Sequence, residues 1–217
     1  MFSLFRRARD PISSYTHAIG AVFSAIAAVF MVTYGLLSPS AATTSLIGAV
    51  VFGLSMMALY SASAIYHFAN STADRIRRLR KFDHAMIYVL IAGTYTPLSL
   101  TFMPQPHGFY FTGILWAVAG IGIISKLFWV NAPRWLSTSF YLLMGWAIVF
   151  DFRAFSGIPA GCLGLIAAGG VLYSIGAFVY VLGRPNISKA WGSHEIFHLF
   201  ILLGTLMHFL AVVLFVL

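Results

Sequence analysis

"WGSHEIFHLFILLGTLMHFLAVVLFVL", residues 191–217, decides the fold. From Leu199 onward every residue except Gly204, Thr205 and His208 is apolar, and the stretch exceeds the roughly 20 residues that a helix needs to cross a bilayer. At its start stand His194, Glu195 and His198, in the spacing that soluble zinc proteases use. The rest of the chain excludes a soluble enzyme of that kind. Its 217 residues are 60% hydrophobic and 8% charged, with a mean hydropathy of +0.91, far outside the range of soluble domains.

Working outward from this stretch, six more apolar runs appear. The seven predicted spans are roughly 16–37, 43–68, 82–103, 109–129, 135–152, 160–182 and 191–216. The gaps are too short for a soluble domain, so 1–217 reads as a single seven-transmembrane domain, an all-α polytopic helix bundle. Pro39, Pro104, Pro106, Pro133, Pro159 and Pro185 punctuate the gaps, whereas Pro97 falls inside the third run, where a kink is expected. The basic "MFSLFRRARD" start lacks a small-residue cleavage site, so the first run is expected to be a retained helix.

A net charge of +8 raises the question of nucleic acid. That reading needs a solvated basic face, and the basic residues instead sit between apolar runs, so no nucleic-acid partner is expected. Arg6, Arg7, Arg9, Arg75, Arg77, Arg78, Arg80, Lys81, Lys126, Arg134, Arg184 and Lys189 all fall on one side of the seven-span topology, and Arg153 falls on the other. Lys and Arg in short loops are held in the cytoplasm, which puts the N-terminus inside and the C-terminus outside. Membrane lipids are the expected surroundings. The lone Cys162 can form neither an intrachain disulfide nor a thiolate cluster.

Ionisable residues inside spans are costly and usually mark function. His17, His67, Asp83, His194 and His198 each fall near the cytoplasmic end of a span, at one shared depth. His194 and His198 are four residues apart, so their side chains share a helix face about 6 Å apart along the axis and can bind one cation. His67 is the expected third ligand. Ser63, four residues earlier, shares its face. Asp83 is the nearest carboxylate, poised either to bind the metal or to orient a metal-bound water and accept its proton, with an ion pair to Arg80 as the alternative. Three neutral imidazoles suit zinc better than calcium or magnesium.

Several other residues receive plainer roles. His84 and His107 read as interfacial hydrogen-bonders, and Glu195 as a residue beside the histidine face that meets the interface or a basic group. His194, His198, Ile201, Thr205 and His208 form a stripe at helical spacing, with His208 either a relay or bonded to a neighbouring helix. The glycines at 161, 164, 169, 170 and 176 suggest close packing in the sixth span. Trp116, Trp129, Trp135, Trp146 and Trp191 suggest interfacial anchors.

At these residues the chain resembles the hemolysin III family, the bacterial branch of the progestin and adipoQ receptor (PAQR) superfamily. The matching segments are "SASAIYHF" at 61–68, "FDHAMIYVLIAGTYTP" at 82–97 and "SHEIFHLFILLGTLMHF" at 193–209. Ser63, His67 and Asp83 fit one superfamily pattern, and His194 with His198 another. The first-helix pattern of Glu, Asn and His reads here as Asp10, Ser13 and His17, with the spacing kept and the first two residue types changed. The resemblance implies a seven-helix protein of the bacterial inner membrane, with zinc (Zn2+) held by His67, His194 and His198 in the cytoplasmic leaflet. It also implies a zinc-dependent hydrolase of membrane lipid amides, similar to ceramidases, with Asp83 and Ser63 as catalytic residues. The family name implies a different class: a non-enzymatic permeabiliser, channel, membrane-energetics regulator or signalling receptor with structural or sensory zinc.

Overall fold

A computed structural model describes residues 7–39, 41–188 and 190–217, so Arg6 and Lys189 lie outside the described residues. Seven helices are long and apolar enough to cross a membrane. They are α1 (Pro11–Leu37), α2 (Thr43–Phe68), α3 (Ala73–Phe102), α4 (His107–Phe128), α5 (Arg134–Gly145, continued by a 3-10 segment Ala147–Phe155), α6 (Ala160–Leu182) and α7 (Ser193–Phe215). No strand occurs among the described residues.

The helices run alternately up and down. At one end, His67 meets His194, Arg80 meets Asn131, and the Arg134 guanidinium stacks on Tyr180. At the other, His107 pairs with Asp151 and Phe215 packs beside Gly161. We call these the histidine end and the opposite end. α3 is the most enclosed helix and touches α2, α4, α5 and α7, while α1 closes the bundle by packing on α2 and α7.

Polarity is arranged inside out. Val29 and Leu36 are each 69% exposed and Phe178 63%, whereas Ser13, Ser24, Ser63, Asp83, Thr205 and His198 are buried. An apolar exterior carries no cost in hydrocarbon, and buried hydroxyls need internal partners. Ser24, Ser55, Thr94, Thr96 and Ser99 find them by donating to the carbonyl four residues back on their own helices.

Three expectations need correction. The basic segment Arg75–Lys81 is not a loop: α3 begins at Ala73, and its first two turns carry these charges beyond the apolar run. Hydropathy locates the buried length of a helix, not its ends. Lys126 is not a loop residue either; it lies in the last turn of α4 and is 3% exposed. The tryptophans are not all outward anchors, since Trp116 donates to Thr96 and Trp146 to Ser174. Of the α6 glycines, Gly169 and Gly176 face side chains that a Cβ would meet at 2.3 and 2.8 Å, while Gly164 has nothing within 4 Å.

Candidate metal centre

Two helices supply the three histidines at the histidine end. His67 closes α2, His194 and His198 open α7, and one ligand atom from each lies within 4.8 Å of the other two. His67 Nε2 and His194 Nε2 are 3.1 Å apart. Zinc–nitrogen bonds of about 2.0–2.1 Å give a tetrahedral ligand–ligand edge of about 3.3–3.4 Å, so this pair already has nearly the separation that such an ion imposes. His198 leaves its Nδ1 buried without a hydrogen-bond partner, an orphan that costs about 1–3 kcal/mol unless a polar group meets it. The three imidazoles can therefore hold a metal ion, and the donor set suits a borderline-soft cation.

The surrounding groups orient these rings. Asp10 Oδ2 accepts a hydrogen bond from His67 Nδ1 at 2.9 Å, while its backbone N–H donates to the His67 carbonyl at 3.0 Å. The second bond satisfies one of the orphan carbonyls at the end of α2. Arg9 donates twice to the same carboxylate oxygen and lies over the Tyr66 ring. The His67 bond above all, helped by Arg9, brings the Asp10 carboxyl down to about 2 against the opposing effect of burial. His17 stacks on His198 with centroids 3.6 Å apart and planes 10° apart, both its ring nitrogens buried and unpartnered.

Glu195 is a cap. Its Oε2 accepts from the Gly192 N–H at 3.0 Å and its Oε1 from the Ser13 hydroxyl at 2.7 Å, so it ties the start of α7 to α1 as an acid three residues past an N-cap does. No basic partner meets it among the described residues. The altered first-helix motif is thus engaged at every position: Asp10 on His67, Ser13 on Glu195, His17 on His198. The sequence signal was the shared spacing with the histidine depth, and the changed residue types concealed it.

Asp83 lies outside the set of mutually close ligand atoms. It is 8% exposed, and its Oδ2 is 3.1 Å from His84 Nδ1, while Arg80 instead donates to Asn131 Oδ1 at 3.2 Å. Asp83 is thus partnered by His84 and not by Arg80. His84 is accordingly not a plain interfacial residue, and its place next to Asp83 in sequence was the clue. Ser63 is buried, and its hydroxyl makes no hydrogen bond to His67 or to any other described residue. His208 is satisfied in the core: Nδ1 donates to the Gly204 carbonyl at 2.8 Å and the ring stacks on Tyr173.

Beside these groups lies a cavity of about 400 Å³ whose wall includes Ser63, Asp83, His84, His194 and His198. Its remaining wall is mostly apolar and extends along α3, α5 and α6 towards Leu98, Phe152 and Leu163.

Fold and site together define a seven-helix membrane protein with a three-histidine cluster able to hold a metal ion. Residues 5–209 match the family described as Haemolysin-III related, and the chain belongs to that family. It is 34% identical to Hemolysin-3 of Bacillus cereus over 207 residues, covering 94% of this chain and 90% of that protein. It is 32% identical to the Hemolysin-3 homolog of Bacillus subtilis (strain 168) over 210 residues, covering 96% and 95%. A more distant likeness, 24% over 173 residues, joins it to the human monocyte to macrophage differentiation factor, covering 76% and 69%.

Proposed function

We propose that the chain is a zinc-dependent hydrolase of a membrane lipid, cleaving an amide bond, with its histidine end at the cytoplasmic face of a bacterial inner membrane. One observation carries the reading: two of the three clustered histidines, His194 and His198, line a mostly apolar cavity whose wall also includes the buried Asp83 carboxylate and the Ser63 hydroxyl. Cavities of about 300–1,000 Å³ with few polar groups are typical of small-molecule sites. The orientation is supported by Arg75, Arg77, Arg78, Arg80, Lys81, Arg134 and Arg184, all at or just beyond the histidine end.

When bound, zinc supplies Lewis acidity towards the carbonyl and a water whose pKa is lowered to about 7. His67, His194 and His198 would hold it, with Asp10 keeping the His67 ring in the tautomer that ligation needs. Asp83, whose Oδ1 His84 leaves free, would take the proton of that water and pass it to the departing amine nitrogen. The Ser63 hydroxyl donates to the developing oxyanion or positions the attacking water. The apolar cavity holds the acyl chain and excludes bulk water.

The test supplies purified, zinc-loaded protein with labelled ceramide-like and other acyl-amide lipids. Turnover that disappears in Asp83→Ala while zinc is retained is expected. No turnover above that variant across a broad lipid panel overturns the enzyme reading and leaves a structural or sensory metal.

A further inference from the structure

Lys126 is the one buried lysine among the described residues, and no carboxylate among them pairs with it. Its ammonium donates to the Ser137 hydroxyl and lies 5.9 Å from the Tyr141 ring centroid. Among the described residues, no carboxylate comes within 4.0 Å of it; the ion pairs join Arg9 and His67 to Asp10, Arg77 to Asp74, His84 to Asp83 and His107 to Asp151. A buried charge in a membrane protein is costly without a counter-ion. Lys126 is enclosed by protein yet lies on the cavity wall, so a counter-ion reaching it would come from a ligand in that cavity.

Two more cations share the wall. Arg80 from α3, bonded to Asn131, and the exposed Arg134 from α5, stacked on Tyr180, both line the cavity at the histidine end. Asp83 is the one carboxylate among the lining residues, and His84 engages it. The cavity therefore carries a cationic cap supplied by three helices on a long apolar sleeve. Three such groups offer more donors than a carboxylate can accept, whereas a phosphate monoester brings three terminal oxygens and nearly two negative charges.

We propose that Lys126, Arg80 and Arg134 form a seat for the phosphate head group of a single-chain lipid whose acyl chain fills the apolar part of the cavity. Arg80 lies three residues before Asp83, on the same face of α3 and within about one helical turn. The bond offered to the metal centre is then one close to the head group, so the substrate class becomes an acylated, phosphate-headed lipid rather than a neutral lipid amide. This last step rests on the hydrolase reading; the seat itself does not.

Binding is measured separately from turnover, on the purified full chain in a non-ionic detergent. The probe is a labelled single-chain ether-linked lipid phosphate, which offers no acyl bond to hydrolyse; the competitors are its dephosphorylated alcohol, a free fatty acid and inorganic phosphate. The lipid phosphate is expected to bind at least about tenfold more tightly than the alcohol, to outcompete the fatty acid, and to resist millimolar inorganic phosphate. Lys126→Met and, separately, the exposed Arg134→Gln are each expected to weaken it severalfold or more without changing metal content or elution volume. Equal affinity for the alcohol, or full affinity in both variants, overturns the seat. Fatty acid binding as tightly reassigns it to a carboxylate, and free phosphate competing equally well reassigns it to a soluble anion; either result overturns the proposal. Wild-type protein that binds the probe but hydrolyses no acylated, phosphate-headed lipid above the Asp83→Ala level overturns the hydrolase reading and leaves the seat standing, whereas turnover without selective probe binding overturns the seat alone.

Discussion

The Asp10 carboxylate and the His67 imidazole lie 2.9 Å apart, joined through Nδ1. An ionised carboxylate only accepts, so Nδ1 carries the proton and Nε2 presents its lone pair to the cluster. A residue outside the membrane-spanning helices thus sets the chemistry of one inside them.

Asp10→Asn should weaken metal retention about 10- to 100-fold, the usual loss when a ligand's orienting carboxylate is removed. Isothermal titration of metal into apo-protein measures it; unchanged affinity would show that the bond is incidental.

The pH dependence follows from the same pair. Because the folded-state pKa of Asp10 is depressed to about 2 from 3.8, its contribution is present above pH 3.8 and is lost only as pH falls through about 2. Metal loss between pH 7 and 4 should therefore report imidazole protonation, since ligation needs neutral histidine. Asp10→Asn should lower affinity across that range without moving the midpoint by more than about half a unit. A large shift in midpoint would mean that Asp10 itself titrates there.

His67→Ala, His194→Ala and His198→Ala should each lose bound metal, and Asp83→Ala should keep it, because Asp83 lies outside the close ligand set. Elemental analysis of purified variants decides. Chelation of the wild type should also lower its thermal midpoint, as removal of any ligand specific to the folded state does. Metal lost from Asp83→Ala would make that carboxylate a ligand or a support of one.

Glu195→Gln should retain metal and keep turnover within about tenfold of wild type, because the side chain caps α7 and holds Ser13. A protease-type general base in that position predicts losses as severe as those of Asp83→Ala, and steady-state rates distinguish the two.

Packing gives an independent check on the fold. A Cβ on Gly48 would meet Pro97 Cα at 2.5 Å, and backbone cannot give way as a flexible side chain can. Gly48→Ala should therefore destabilise by about 1–3 kcal/mol. Gly113→Ala, with nothing within 4 Å, should leave the midpoint unchanged or raise it, since alanine is the better helix former. Thermal melts in detergent compare them; equal midpoints would contradict the α2–α3 contact.

The amino-acid sequence by itself determined that this is a seven-helix membrane protein, because twenty-residue apolar runs have one economical fate in a bilayer, and period and length alone reveal them. It also brought His67, His194 and His198 to one depth, since helix rise and alternating direction are fixed by geometry. What sits beside what at that depth belongs to tertiary structure. Whether Asp83 meets Arg80 or His84, whether Lys126 points to water or into a cavity, and that Asp10 reaches across to His67 depend on how helices rotate about their axes and tilt against one another. Those rotations are set by contacts such as Gly48 on Pro97 and Gly169 on His208, between residues far apart in the chain, and no local pattern in either partner records them.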